Sequence, residues 1–305
     1  MNVSINPTYY CNFRCNFCYL TEKQLSDRTI LSIDKIDAML VQISQKYSIE
    51  SVEIYGGEVG LLTLEYLNAL IDLCLSYTRN VNVVTNLSNI HLSFLRDDIT
   101  LSVSFDFLAR EKSDLVLNNM LKIPRTFSVN VLVTPLILEM DPEYVIKVFN
   151  GIKSITDVEL KPYSKNQANS FTISHKQFDD YVKKWILLAN QMNFNFINIG
   201  LLNDVLTKQK NMYSDDHVYI TPDGFYGVLS FDSHDREFFC LLNSLEEYGE
   251  WCVHEKTQVK NNKICMGCDF VGHCLTEHAR PFIELEDNTC DGHIGLIKWY
   301  QQSGN

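Results

Sequence analysis

The alternation of short strand-like segments with helical segments over the first 162 residues constrains the fold most. Six segments are rich in apolar and β-branched residues and read as strands, at residues 3–6, 51–55, 82–85, 100–105, 127–134 and 158–161. Strands that alternate with helices pair in parallel, and the helices cover the sheet. Six such units predict an α/β fold built as an open, partial (β/α)6 TIM-like barrel. Active sites of such barrels lie at the carboxyl ends of the strands.

The pattern changes near residue 174. Before it, helices are predicted over residues 32–46, 63–77 and 142–152. After it come a helix over residues 176–192 and a β-hairpin whose strands cover 218–221 and 225–229, around a Pro-Asp-Gly turn. The remaining chain is polar and rich in cysteine. We therefore predict two domains, a barrel over residues 1–170 and, over residues 171–305, a helical connection with a small module that contains the hairpin and is held together by metal.

Composition excludes several classes of partner. The chain has 305 residues and a net charge of −12, which argues against capture of nucleic acid or of an anionic membrane surface. It has no basic start followed by an apolar run, and no apolar stretch of membrane-spanning length. We expect a cytoplasmic protein. Cytosolic thiols stay reduced, so the ten cysteines favour metal sites over disulfides.

The first cysteine cluster is the run CNFRCNFCY, in which Cys11, Cys15 and Cys18 have the spacing C-x3-C-x2-C. Three thiolates can hold three irons of a [4Fe–4S] cluster and leave the fourth iron open. An open iron can bind a substrate or a cofactor directly. The alternative is that three unrelated cysteines of the core stand at this spacing by chance.

The run CNFRCNFCY resembles the signature of the radical S-adenosylmethionine (SAM) superfamily, in which an aromatic residue, here Phe17, precedes the last cysteine. The resemblance covers about residues 3–162. It implies that the open iron chelates SAM, and that reductive cleavage of SAM gives a 5′-deoxyadenosyl radical that abstracts a hydrogen atom. The segment Tyr-Gly-Gly-Glu at residues 55–58 resembles the part of the family that holds the methionyl amine, which implies roles for Gly56, Gly57 and Glu58.

Weaker matches imply further contacts to SAM. Asn86 ends the third strand, and Ser104 and Asp106 end the fourth, although Phe107 replaces the glycine that is usual there. Leu160, on the sixth strand, matches a position where the backbone contacts the adenine. For each of these four residues a purely structural role is an equal alternative.

The carboxyl-terminal cysteines resemble the SPASM extension of peptide-modifying radical SAM enzymes. Cys265, Cys268, Cys274 and Cys290 match the four ligands of that extension's second auxiliary [4Fe–4S] cluster. Two positions that bind the first auxiliary cluster in the family are Leu229 and His278 here. The resemblance therefore implies two [4Fe–4S] clusters in all, one radical SAM cluster and one auxiliary cluster, with the first auxiliary cluster lost.

Zinc is the competing interpretation of the same region. Cys265, Cys268, Cys274 and His278 form a Cys3His set that suits a tetrahedral zinc ion, which leaves Cys290 without a role. Cys74 lies in an apolar helical segment and is predicted to be a core residue. No catalytic residue is identified, and Asp232, Cys240 and Cys252 are candidates only, with structural roles as the alternative.

These resemblances predict a maturase that oxidises a ribosomally synthesised precursor peptide and closes a side-chain cross-link, either C–C, C–O or thioether. The alternatives are a radical peptide epimerase, a small-molecule radical dehydrogenase and, outside enzymes, a non-catalytic iron–sulfur electron carrier. Expected partners are the precursor peptide and an external electron donor such as flavodoxin or ferredoxin. Because the first strand begins at residue 3, we expect no amino-terminal recognition domain and consider a separate leader-peptide-binding protein.

Overall fold

The computed structural model describes residues 1–162, 173–229, 239–276, 290 and 292–303. The described strands form one ten-stranded sheet. They are β1 (Asn2–Ile5), β2 (Ser51–Ile54), β3 (Val81–Thr85), β4 (Thr100–Ser104), β5 (Phe127–Leu132), β6 (Ile155–Lys161), β7 (Asn195–Phe196), β8 (His217–Ile220), β9 (Tyr226–Leu229) and β10 (Phe239–Leu242). Each of the six predicted strands is present, shifted by up to three residues.

The sheet has the order β10-β9-β8-β1-β2-β3-β4-β5-β6-β7. All pairs from β8 through β1 to β7 are parallel, and β9 and β10 continue the sheet in antiparallel fashion. The mixed α/β class with a TIM-like parallel sheet is confirmed. The sheet is longer than the six predicted strands because β7 adds to β6 at one end and β8 adds to β1 at the other.

The predicted hairpin is present as β8 and β9, but its place differs from the prediction. We expected it inside the separate carboxyl-terminal module. Instead, β8 pairs with β1 over four residues, from Asn2–His217 to Ile5–Ile220, so the hairpin extends the barrel sheet. The proposed boundary near residue 170 falls outside the described residues, and the division into two domains stays a prediction.

Helices cover the outer face of the sheet and fill the carboxyl-terminal part. They are α1 (Glu22–Ser26), α2 (Ile33–Lys46), α3 (Leu64–Tyr77), α4 (Ser113–Lys122), α5 (Pro135–Leu138), α6 (Pro142–Asn150), α7 (His175–Leu187), α8 (Ile197–Leu206), α9 (Leu245–Asn261) and α10 (Ile294–Gln302). Side chains of Ser32 and Thr63 cap α2 and α3 by accepting hydrogen bonds from backbone N–H groups three residues on. The helix predicted over residues 176–192 ends earlier, and a 3₁₀ turn follows at Ala189–Gln191.

Alternation along the strands separates an apolar outer layer from a polar interior. On β2, Val52 and Ile54 are at most 1 % exposed and belong to the main core cluster. Their neighbour Glu53 has the opposite orientation and accepts a hydrogen bond from the Asn82 amide at 3.1 Å. Asn82 in turn accepts one from the Ser102 hydroxyl at 3.1 Å. The inside of this barrel is therefore partly polar, whereas closed TIM barrels fill their interior with apolar layers.

The carboxyl-terminal helices pack back onto the barrel. Helix α9 contacts β9 and β10, and α10 contacts α7 and α8. The buried carboxylate of Asp179 on α7 and the Nδ1 atom of His293 lie 2.6 Å apart, which fixes the start of α10. Within the described parts of the chain, no helix combines the length and the apolar character needed to cross a membrane.

Candidate functional site

A cavity of about 340 Å³ lies at the carboxyl ends of the parallel strands. It brings together residues that are far apart in sequence, from the cysteine loop after β1 to the end of β6. Ten of the predicted site residues line it, namely Cys11, Cys15, Cys18, Phe17, Gly56, Gly57, Glu58, Asn86, Ser104 and Asp106. The first cysteine cluster and the Gly-Gly-Glu segment thus share one site.

The cysteine loop is held by backbone hydrogen bonds. The N–H of Cys11 donates to the carbonyl of Leu25 at 3.1 Å, and the N–H of Cys18 donates to the carbonyl of Cys15 at 3.0 Å. The Cys11 sulfur accepts from the N–H of Phe13 at 3.4 Å. Hydrogen bonds to sulfur stabilise the thiolate form that binds iron.

Burial works against the thiolate form of all three thiols. It raises the pKa of Cys11 to about 12 and that of Cys18 to about 11. Burial also raises the pKa of Cys15, and the Arg110 guanidinium opposes that rise. Cys11 is buried, and Cys15 and Cys18 are half-buried. Thiols with raised pKa values around one cavity need a strong local positive charge to ionise, and metal ions supply such a charge. The donor set therefore suits an iron–sulfur cluster.

The Gly-Gly-Glu segment lies directly against the cysteine loop. A Cβ atom at Gly57 would lie 2.2 Å from the carbonyl oxygen of Tyr9 and 2.3 Å from that of Tyr10. The close approach lets the N–H of Glu58 donate to the Tyr10 carbonyl at 2.9 Å. Only glycine fits at residue 57, since any side chain would push the two loops apart.

Glu58 is 2 % exposed and accepts three hydrogen bonds. Oε1 accepts from the N–H of Gly60 at 2.7 Å and from the hydroxyl of Thr85 at 2.6 Å, and Oε2 accepts from the N–H of Asn86 at 2.6 Å. Burial raises its pKa, and these hydrogen bonds act in the opposite direction. A fixed buried carboxylate at a cavity wall suits an ammonium group of a ligand.

Asp106 forms a buried ion pair that the sequence analysis missed. Its Oδ2 atom accepts from the Nε and Nη2 atoms of Arg110 at 2.9 and 2.5 Å, and Oδ1 accepts from the N–H of Leu132 at 2.5 Å. The Arg110 guanidinium also lies 5.4 Å from the centre of the Phe17 ring. The i, i+4 spacing of Asp106 and Arg110 was the available signal. Asp106 thus orients Arg110 at the cavity wall.

Leu160 does not line the cavity, unlike the other predicted cofactor-binding residues. Its N–H donates to Asn198 Oδ1 at 2.9 Å, and its carbonyl accepts from Asn198 Nδ2 at 2.8 Å. Asn198 therefore occupies the backbone groups that we expected to contact adenine. The next residues, Lys161 and Pro162, do line the cavity.

A second, smaller cavity of about 160 Å³ lies in the carboxyl-terminal part. Cys265, Cys268, Cys274 and Cys290 all line it, together with the buried Met212. In the described chain no three His, Cys, Asp or Glu side chains cluster tightly enough to share one metal ion. The thiolates of a [4Fe–4S] cluster bind different irons and stand further apart than the ligands of a single ion.

The remaining candidates lie apart from both cavities or beyond the described residues. Cys240 is half-buried on β10, and Cys252 is buried on α9. Neither lines the two cysteine-bearing cavities. Cys74 is fully buried in α3, as predicted. Asp232 and His278 lie outside the described residues.

Comparisons with known proteins identify similar families and structures. The model of the Radical SAM superfamily matches residues 5–130, the part of the chain that holds the first cysteine cluster and the Gly-Gly-Glu segment. The superfamily implies SAM and one [4Fe–4S] cluster, and the donor set of the larger cavity fits both.

The similar sequences and the similar solved structures are different proteins. Probable GTP 3′,8-cyclases of Saccharolobus islandicus, from the strains L.S.2.15 / Lassen #1 and M.14.25 / Kamchatka #1, are 27 % identical over 95 % of this chain and 85 % of theirs. The structure of native anSMEcpe with bound AdoMet aligns at a TM-score of 0.70 with 15 % identity, over 99 % of this chain and 96 % of that one. The structure of Streptococcus suis SuiB bound to S-adenosylmethionine aligns at a TM-score of 0.63 with 16 % identity, over 90 % of this chain and 71 % of that one.

Proposed function

We propose that the chain is a radical SAM maturase that oxidatively modifies a ribosomally synthesised precursor peptide and closes an intramolecular side-chain cross-link. The observation that carries the proposal is the pair of cysteine-lined cavities in one chain. The larger has three cysteines beside Glu58 and Arg110, and the smaller has four cysteines.

The larger cavity supplies the radical chemistry. Cys11, Cys15 and Cys18 would hold the cluster and leave one iron for SAM, and together these groups supply an electron and a hydrogen-abstracting radical. Glu58 would bind the ammonium of SAM, and Arg110 would bind its carboxylate through donors not used by Asp106. The backbone contact of Gly57 with the cysteine loop keeps the two halves of the site together.

The smaller cavity supports a second cluster. Four cysteine ligands leave no open iron, so the group held there would serve electron transfer or structure rather than bind substrate. The presence of Cys290 beside the other three cysteines favours a cluster over the Cys3His zinc site, which gives Cys290 no role.

A peptide substrate is supported by what the structural neighbours bind. SuiB has been seen with its precursor peptide SuiA, and that structure aligns at a TM-score of 0.54 with 16 % identity. Native anSMEcpe has been seen with the peptides Cp18Cys and Kp18Cys. The likeness is one of fold, and it makes a peptide the first substrate to test.

The GTP cyclase relatives make a nucleoside triphosphate the second candidate. A triphosphate requires several cationic groups at its site. Among the described residues that line the larger cavity, the cations are Arg110, paired with Asp106, and Lys161, which lies 3.2 Å from Glu159. Glu53, Glu58 and Asp106 line the same cavity. This charge balance favours a peptide over GTP.

The deciding experiment offers both substrates to the reconstituted enzyme. The enzyme is incubated anaerobically with SAM, reductant and either GTP or the precursor peptide encoded beside its gene. We expect deoxyadenosine and a peptide that has lost two hydrogen atoms and gained a ring. Loss of two hydrogens without a ring indicates a dehydrogenase. A peptide whose mass is unchanged in ordinary water, but which takes up deuterium in D2O, indicates an epimerase. Deoxyadenosine with an unchanged peptide contradicts the proposal, and conversion of GTP supports the second candidate.

The auxiliary cluster has its own test. The variant Cys265→Ala should reduce bound iron and sulfide from two clusters to one, and it should keep SAM cleavage. The matched control is Cys74→Ala, which removes a buried thiol of the core and should keep both clusters. Stoichiometric zinc in the wild type, with a single cluster, would contradict the assignment.

A further inference from the structure

Tyr55 lies at the wall of the larger cavity and is not among the residues proposed to hold the cluster or SAM. It follows β2 directly and precedes Gly56, and it lines the cavity together with Tyr19 and the three cluster cysteines. Its alternation with the outward-facing Ile54 directs the ring into the barrel, on the same side as Glu53. The ring therefore faces the space where a substrate must meet the radical.

The hydroxyl of Tyr55 is buried and has no hydrogen-bond partner in the described chain. A buried hydroxyl without a partner costs about 1–3 kcal/mol. Native structures rarely keep such a group unless a ligand or a water completes it. Burial raises the pKa of Tyr55 well above its usual range, with smaller contributions from Tyr19, Tyr219 and Glu53. The phenol is neutral at physiological pH and can donate a hydrogen bond.

The ring of Tyr55 belongs to an aromatic wall that includes Tyr219 and Phe239. The rings of Tyr55 and Tyr219 meet edge to face, with centroids 6.3 Å apart, and the ring centroids of Tyr219 and Phe239 are 5.1 Å apart. Leu229 belongs to the same apolar cluster, and Tyr19 packs against it. The wall is built by β2 and by the strands β8 to β10. The wall extends from the larger cavity toward the β10 edge of the sheet.

We propose that Tyr55 and this aromatic wall form the subsite that holds the peptide residue undergoing modification. The phenol donates a hydrogen bond to a backbone carbonyl of the peptide, and the wall packs against an apolar or aromatic side chain. The inference rests on the proposed peptide-modifying function and adds the chemical class of the residue. Because the hydroxyl has no hydrogen-bond partner among the described residues, its interaction energy is available to a bound substrate.

The experiment compares Tyr55→Phe with wild type and with Tyr77→Phe. Tyr77 lies on α3, and its hydroxyl donates to Asp37 at 2.7 Å, away from the cavity. For each protein we measure KM for the precursor peptide, KM for SAM, kcat, and the melting temperature without substrate. Loss of one substrate hydrogen bond should raise the peptide KM of Tyr55→Phe roughly 3- to 10-fold. The KM for SAM and kcat should stay near wild type, and Tyr77→Phe should leave all three unchanged.

The melting temperature separates a substrate contact from a structural one. The part of the chain that the structure describes offers the Tyr55 hydroxyl no hydrogen-bond partner. Its removal should therefore leave the melting temperature of Tyr55→Phe equal to or above that of wild type. An unchanged peptide KM, a lowered melting temperature, or a raised KM for SAM alone would each overturn the inference. If wild type modifies the peptide and Tyr55→Phe matches it, only the inference fails. If wild type modifies no peptide, the proposed function fails, and the inference fails with it.

Discussion

Gly292 lies against Cys274 at the second cavity. A Cβ atom at residue 292 would stand 2.9 Å from the Cys274 sulfur and 3.0 Å from the Thr276 hydroxyl oxygen. Real Cβ atoms essentially never approach a heavy atom closer than 3.0 Å. The absence of a side chain at this position therefore keeps the Cys274 sulfur in place at the wall of a cavity of only about 160 Å³.

We predict that Gly292→Ala loses the auxiliary cluster selectively. The added methyl group must displace the Cys274 side chain, which is one of the four proposed ligands. Bound iron and sulfide should fall from two clusters to one, while SAM cleavage at the larger cavity persists. The control is Gly200→Ala, since a Cβ at that helical glycine meets nothing within 4 Å. An unchanged iron content in Gly292→Ala would contradict the assignment of Cys274 as a ligand.

Glu58→Gln tests the proposed ammonium site. The glutamine amide cannot accept a hydrogen bond at its nitrogen, so at least one of the donors on Gly60, Thr85 and Asn86 loses its acceptor. The charge that attracts an ammonium is lost as well. We expect the Kd for SAM, measured by equilibrium dialysis of the loaded enzyme, to rise by roughly 10-fold or more. Glu65→Gln, in the exposed first turn of α3, should bind SAM as wild type does.

The sequence predicted the parallel sheet because its buried strands carry a local signal. Segments such as Val52–Ile54, with apolar outward positions and turn residues at both ends, are recognisable without knowing their partners. The position of β8 carries no such signal. Its pairing with β1 joins residues more than 200 positions apart, and a hairpin read locally gives no indication of which strand lies beside it.

The same distinction holds for the site. Ligands with fixed short spacing, such as Cys11, Cys15 and Cys18, can be found by motif, and the structure brings them to one cavity with Glu58. Asn198 could not be predicted, because its role depends on packing against Leu160, 38 residues earlier. Hydrogen bonds between a backbone group and a side chain far along the chain depend on the folded geometry. They leave no local pattern in the sequence.

Substitutions of Asp106 and Arg110 should have strongly coupled effects on the free energy of unfolding, because the two side chains form a buried ion pair. Arg110→Met leaves a buried carboxylate without a counter-ion, and such losses destabilise by about 3–5 kcal/mol. The double variant Asp106→Leu/Arg110→Met removes both charges and should recover part of that loss. Urea unfolding of wild type, Arg110→Met, Asp106→Leu and the double variant measures the coupling. The control Lys176→Met breaks an exposed i, i+4 pair with Asp180 and should unfold near wild type. Equal stability of the single and double variants would show that the pair is not coupled.

Glu255 on α9 is a buried carboxyl with two hydrogen bonds from one residue. It is 4 % exposed, and it accepts from the N–H of Ser214 at 2.8 Å and from the Ser214 hydroxyl at 2.7 Å. Burial raises its pKa to about 7, although both hydrogen bonds act in the opposite direction. Desolvation of the charged form therefore outweighs its two donors.

This raised pKa predicts that Glu255 lowers stability as pH rises. Between its ordinary pKa of 4.5 and about 7, the folded protein holds a proton that the unfolded chain has released. The stability that the buried, protonated Glu255 contributes is fully present below about pH 4.5, and it is lost as pH rises through about 7. As pH rises from about 5 to about 8, the free energy of unfolding of Glu255→Gln should increase by about 2–3 kcal/mol relative to that of wild type. Urea unfolding at each pH measures this difference. Glu250→Gln, on the exposed side of the same helix, is the matched surface control. A pH-independent difference for Glu255→Gln would show that Glu255 ionises normally in the folded protein.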